Sequence, residues 1–179
     1  MGDSMSSVVI SGDTSGAITL AAPAVSGTNT ATLPAATGTV MVSGNMPAFS
    51  ATSASTTTVT ANTFTKITIA TSVFDTNSNY STANSRFTPT VAGYYQINGS
   101  ATILGTTIGL VSIYKNGSRF ADGLYGGIAA SNPNSNVCCL VYLNGSTDYV
   151  ELYGLNVSST SIGGGATTLY FNGAMVRGA

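Results

Sequence analysis

The chain has 179 residues with a formal net charge of −1; 6% are charged and none is histidine. Five cations, Lys66, Arg86, Lys115, Arg119 and Arg177, are spread along it and leave no basic footprint for nucleic acid. No run reaches the roughly 18 apolar residues that membrane insertion needs.

A hydrophobic fraction of 43%, rich in Val, Ile, Thr and Tyr, argues for a folded sheet protein rather than a disordered one. The first residues carry Asp3 and no cation, and Ser11, Gly12 and Asp13 break the apolar segment that follows. This is unlike a secretion signal and implies assembly in a cytoplasm.

Residues 1–47 differ from the rest. Residues 16–42 are small and β-branched, with Pro23, Pro34 and several glycines, and contain no aromatic residue. Such a segment cannot build a core alone, but suits extended chain laid against a partner or sibling chains. About 40 extended residues of the arm would reach on the order of 130 Å. The apolar anchoring positions are Val9, Ile10, Ile18, Leu20, Leu33, Val40 and Val42. A disordered tail is the plainer alternative.

Strand signals begin after Met46-Pro47. In Phe64-Thr65-Lys66-Ile67-Thr68-Ile69, Ile67 and Ile69 share a face. Residues 75–85 form a polar, Asn-rich loop. Residues 86–103, 108–114, 137–143, 149–153 and 169–176 follow as strands, with Gly-rich loops at 121–130 and around Gly163-Gly164-Gly165. Short strands at this spacing, without helical periodicity, predict an all-β antiparallel sandwich or barrel. Asn-Gly pairs predict turns at Asn116 and Asn144 and bulges at Asn98 and Asn172. Asn98, Asn116 and Asn144 also head glycosylation triplets, which need an export route the sequence does not show. Adjacent Cys138 and Cys139 point to opposite faces and read as free thiols filling buried space, with an interchain bridge as the alternative.

The order of these elements carries a resemblance. Ala48-Phe49-Ser50-Ala51 is followed by Phe87-Thr88-Pro89 to Gly93-Tyr94-Tyr95, then by Ile113-Tyr114-Lys115-Asn116-Gly117. Leu140-Val141-Tyr142-Leu143, Tyr149-Val150-Glu151-Leu152 and Phe171-Asn172-Gly173-Ala174-Met175-Val176 complete it. Over residues 48–177 the chain resembles the trimeric C1q-like/tumour-necrosis-factor-like jelly rolls. The resemblance implies a homotrimeric jelly-roll β-sandwich head at 48–179 on an extended N-terminal arm at 1–47. No collagen run precedes the head, so the arm must do the joining. The stretches Ala22-Pro23-Ala24-Val25-Ser26-Gly27-Thr28-Asn29-Thr30 and Leu33-Pro34-Ala35-Ala36-Thr37-Gly38-Thr39-Val40 resemble N-terminal segments of tailed-phage structural proteins.

A physical pattern points the same way. Both faces of residues 137–143 are apolar: Val137, Cys139, Val141 and Leu143 on one, Cys138, Leu140 and Tyr142 on the other. A second chain, or the arm folded back, must cover the outer one. Cys138, Leu140, Tyr142, Tyr149 and Tyr153 are the expected trimer interface, since buried aromatics dominate such contacts.

Chemistry is thin. Without His, Ser-His-Asp and Cys-His arrangements are impossible within the chain. No motif pairs any two of Asp3, Asp13, Asp75, Asp122, Asp148 and Glu151. The expectation is no enzyme and no cofactor. Asp75-Thr76-Asn77-Ser78-Asn79 copies the start of a calcium loop, but Tyr80 and Arg86 stand where Gly and Glu are required. An irregular ion site or a plain Asx-turn loop remain the readings there. The glycine-rich stretches lack the Lys-Ser/Thr of a phosphate loop.

The expected function is that of a phage virion protein, a capsid decoration or head-fibre trimer bound through its arm to the major capsid protein. A short tail fibre attached to a tail component is the alternative, and a non-virion ligand-binding module the second. Exposed loops at 121–130 and 158–166, with Leu124, Tyr125 and Ile162, would adhere weakly to host-surface glycans or proteins.

Overall fold

The computed structural model describes residues 7–25, 27–32, 35–105, 108–124, 126–127, 132–158 and 160–179. They fall into two compact units, Met1–Gly38 and Thr39–Ala179, so the second begins ahead of the boundary expected after residue 47.

In the first unit, β1 (Ser7–Ser11) and β2 (Ala17–Ala21) pair antiparallel, with Val8 opposite Leu20 and Ile10 opposite Ile18. The Gly12 N–H donates to the Gly16 carbonyl at 3.0 Å, and Gly16 sits at φ +79. That left-handed conformation suits glycine and lets the chain reverse. Residues 7–21 of the arm therefore form a hairpin that doubles back, not a single extended run.

The second unit holds β3 (Ala48–Thr52), β4 (Thr57–Thr58), β5 (Thr65–Lys66), β6 (Thr71–Asp75), β7 (Tyr80–Ser81), β8 (Arg86–Phe87) and β9 (Ala92–Ile103). It continues with β10 (Ile108–Lys115), β11 (Ser118–Asp122), β12 (Gly126–Gly127), β13 (Asn134–Asn144), β14 (Val150–Asn156), β15 (Ser161–Gly163) and β16 (Tyr170–Gly178). One sheet runs β4-β15-β9-β16-β3-β6, with β13 along the other side of β9. The second runs β11-β10-β14-β8-β7, with β12 on β10 and β5 on β14. Every pairing among the described residues is antiparallel.

The core lies between the sheets and is built from the aromatic residues of the sequence pattern. Phe49 stacks on Phe87 at 4.2 Å between centroids and on Tyr80 at 5.2 Å, and meets Phe171 edge-on at 5.1 Å. Tyr95 meets Phe87 at 5.7 Å. Its buried hydroxyl donates to the Val91 carbonyl at 2.6 Å, satisfying the one polar atom it brings inside. Ile67, Ile69, Ile97, Ile113, Leu143 and Leu152 fill the remainder.

Asn116 and Gly117 have φ of 52 and 77, which close the β10–β11 hairpin as expected. At Asn144 the turn joins β13 of one sheet to β14 of the other. The Asn144 Oδ1 accepts from the N–H groups of Ser146, Thr147 and Asp148 at 2.9–3.0 Å and pins that corner.

The bulges expected at Asn98-Gly99 and Asn172-Gly173 are absent. Asn98 pairs in register with Asn172 and Gly99 with Phe171, and the irregularity of β16 lies instead between Met175 and Arg177. The glycines serve packing: a side chain at 99 would strike Leu152, and one at 173 would meet Ile97 at 2.5 Å.

Candidate assembly surface

Alternation along β9 sends Tyr95, Ile97, Ala101 and Ile103 into the core and Tyr94, Gln96 and Asn98 outward. On β13, Val137, Val141 and Leu143 are inside, Cys139 is half-buried, and Cys138, Leu140 and Tyr142 face out. Register then sets the outward residues in rows across the sheet. Cys138 lies beside Asn98, Asn98 beside Asn172, Asn172 beside Ser50, and Ser50 beside Phe74. In the next row Leu140 neighbours Gln96, and Gln96 neighbours Ala174. Above it Tyr142 neighbours Tyr94, their rings 5.5 Å apart.

This face is apolar at its margins and amidic at its centre. Leu140 and Val176 are each 56% exposed, and Phe74, Tyr142 and Tyr94 are 40–50% exposed. At the centre the Asn98 amide donates to Asn172 Oδ1 at 3.0 Å, and the Gln96 amide donates to Asn98 Oδ1 at 3.3 Å. Two shallow hollows flank that bridge. One of about 370 Å³ is lined by Asn98, Asn136, Val137, Cys138, Tyr170 and Asn172. The other, about 290 Å³, includes Ala48, Phe74, Gln96 and Ala174. Exposed apolar side chains around hydrogen-bonded amides are what a docking face presents.

The cysteines diverge, as strand alternation requires. Burial pushes the Cys139 thiol up to about 11, with the neighbouring Cys138 adding to the rise. Cys138 is exposed, contrary to the expectation that both thiols fill buried space, because it belongs to the outward row.

Tyr149 and Tyr153 do not join Cys138, Leu140 and Tyr142. They belong to the outer face of the second sheet, where β14 runs between β10 and β8. Tyr153 stacks on Tyr114 at 3.8 Å, Arg86 lies 3.7 Å over the Tyr149 ring, and Arg119 lies 4.6 Å over Phe64. Between them Glu151 is 1% exposed, its Oε1 accepting from Arg86 Nε at 2.8 Å and Lys66 Nζ at 3.3 Å. Alternation gave these residues a common face correctly but could not say which sheet bears it.

Of the anchoring positions, Val9, Ile10, Ile18 and Leu20 lie on the β1–β2 hairpin, all exposed. Val40 and Val42 are exposed in the second unit, on either side of Met41, which packs on the core. Leu33 lies outside the described residues. Among the loop residues, Leu124 is exposed and Tyr125 lies outside the described residues. Ile162 is not a loop residue: it is 0% exposed on β15, paired with Ile103 and Thr57, because Gly154 leaves room for its side chain.

The polar loop after β6 is held by its own groups. Asp75 Oδ2 accepts the Tyr80 N–H at 2.7 Å, and Asn79 bridges to Thr90 and to the Asn77 carbonyl. Asp75 Oδ1 is buried without a partner. Among the described residues no three His, Cys, Asp or Glu side chains gather where they could hold a metal ion.

No protein-family model and no curated protein matches the chain. Solved structures do. The globular domain of zebrafish complement 1qA is 15% identical with a TM-score of 0.54, over 74% of this chain and 99% of that one. Murine APRIL is 7% identical with a TM-score of 0.58, over 73% and 99%. The vertex protein P5 of PRD1 is 15% identical with a TM-score of 0.54, over 73% and 97%. Identities this low speak to the fold, and with the two antiparallel sheets described above they establish it: the chain carries a jelly roll of the C1q and tumour-necrosis-factor type.

Proposed function

We propose that the protein is a homotrimeric structural component of a phage particle, a capsid decoration or head-fibre protein. Its jelly roll forms the head, and its first unit binds the particle through the major capsid protein. The observation that carries this reading is the outward face of β13, β9 and β16. Leu140, Tyr142, Tyr94 and Val176 stand exposed there on a single chain, in a fold whose family resemblance implies a trimer. Covering that face with a second copy removes these side chains from water and keeps the hydrogen bond between the Asn98 and Asn172 amides.

The capsid is favoured over the tail because one structural neighbour is described as a vertex protein. The exposed loop at Leu124 extends the role to weak adhesion at a host surface.

The test is immunogold labelling of intact particles with an antibody to the head domain, viewed by electron microscopy. Label spread over the capsid is expected. Label confined to the tail replaces the capsid assignment with a tail fibre, and particles without label remove the virion reading. In parallel, a chain lacking residues 1–38 should remain trimeric and fail to join particles.

A further inference from the structure

We infer that the β1–β2 hairpin packs, through its aliphatic face, against the same face of the hairpins of two sibling chains, closing a dry three-sided stem. This rests on the trimeric reading above and names what the arm first binds.

The observation is the division of the hairpin into two unlike faces. The register sets Val8 beside Leu20 and Ile10 beside Ile18, so these four side chains share one face. The other carries Ser7, Val9, Ser11, Ala17, Thr19 and Ala21. All four aliphatic residues are more than half exposed on the single chain. A two-stranded hairpin is marginal in water without a covered face, so something must cover this one.

The chemistry of the segment selects the occupant. Residues 1–47 contain no aromatic residue, no Lys and no Arg, and their only charges are Asp3 and Asp13. Interface anchors are drawn chiefly from Tyr, Trp and Arg, and this segment has none of them. What it offers is aliphatic area, and lasting contacts between identical chains are the more apolar class of interface. A trimeric head also holds three hairpins at a mutual concentration on the order of millimolar, so a modest patch suffices. The Ser, Thr and Ala face then points outward, and the particle is gripped by three hairpins acting as one body.

Cysteine cross-linking of the full chain tests this. In a C138S/C139A background, shown first by light scattering to keep its mass, Ile10→Cys is compared with Val9→Cys under mild oxidation. The inference expects Ile10→Cys to form interchain disulfides at a rate independent of dilution and roughly tenfold or more above Val9→Cys. A trimer in which neither variant cross-links, or both do equally, overturns the stem and leaves the trimer standing. A monomer overturns the trimeric reading and the stem with it. Hydrogen exchange of the unsubstituted chain gives a second readout, with the amides of residues 7–11 and 17–21 protected in the free trimer. Protection seen only on particles would make the particle surface the occupant and sink the inference.

Discussion

The two outer faces of the sandwich are made from similar side chains and end in opposite states. On the β14 face the rings of Tyr149, Tyr153, Tyr114 and Phe64 are covered by Arg86, by one another and by Arg119, and the Glu151 carboxylate is enclosed with two cations. On the β9–β13 face, Leu140, Val176, Phe74 and both tyrosines remain open, and the central polar groups are neutral amides that have already found each other. One face is complete within a single chain, and the other leaves its apolar side chains open, as the proposed trimer requires. Of the few charges, Lys66, Arg86, Arg119, Asp122 and Glu151 serve the closed face. Among the described residues, Lys115 alone of the paired cations reaches the open one, its Nζ 5.8 Å over the Tyr142 ring.

The comparison breaks most visibly if the open face is charged. Leu140→Asp combined with Tyr142→Asp should dissociate the trimer to monomers by sedimentation velocity, each site costing about 2–4 kcal/mol of association as an interface centre. The far-ultraviolet circular dichroism should stay unchanged, since both side chains point away from the core. A trimer that survives the pair would place the interface elsewhere.

On the closed face the expected effect is on stability alone. Arg86→Ala leaves Glu151 enclosed with Lys66 as its remaining cation, itself partly exposed. The loss should be about 3 kcal/mol in denaturant unfolding, with oligomeric mass retained. Dissociation without loss of stability would merge the two faces into one function.

The smallest effect concerns the corner between the sheets. The Asp148 carboxyl is held below the ordinary aspartate range by hydrogen bonds from the Asn116 amide and the Lys115 ammonium. Because the folded state favours the charged form, this support is present at neutral pH and lost as pH falls through the lowered value. Amide exchange at residues 144–149 should therefore quicken below the usual aspartate range while the core strands stay protected. Exchange independent of pH there, once corrected for intrinsic rates, would remove Asp148 from the corner.

Much of this was legible in the sequence, for identifiable reasons. Phe49, Phe87, Tyr95 and Phe171 recur at the positions that gave the resemblance, and they meet in one aromatic cluster. Asn116-Gly117 encodes its turn locally, because the left-handed backbone at both residues is what Asn and Gly tolerate. What stayed hidden depends on distant partners. Alternation tells which residues share a face but not which sheet a strand joins, so Tyr149 and Tyr153 were grouped with Tyr142. Ile162 lies in a glycine-rich run and reads as a loop, yet pairing with Ile103 buries it. Asn98-Gly99 reads as a bulge until Leu152, far along the chain, is found to fill the space above the glycine.

The placement of β16 bears on how the head comes into being. Its residues sit between β3 and β9, pairing Ala174 with both Ala48 and Gln96. The central strand of the sheet is thus the last of these to leave the ribosome. Until Tyr170–Gly178 emerges, β3 and β9 present unpaired edges of the kind that recruit neighbouring chains. Closure of the sheet must wait until β16 has emerged, and contacts so distant in sequence make that step slow. On a polysome, where several nascent copies lie close together, the interval before closure is also when an unfinished chain is most exposed to pairing with the wrong neighbour.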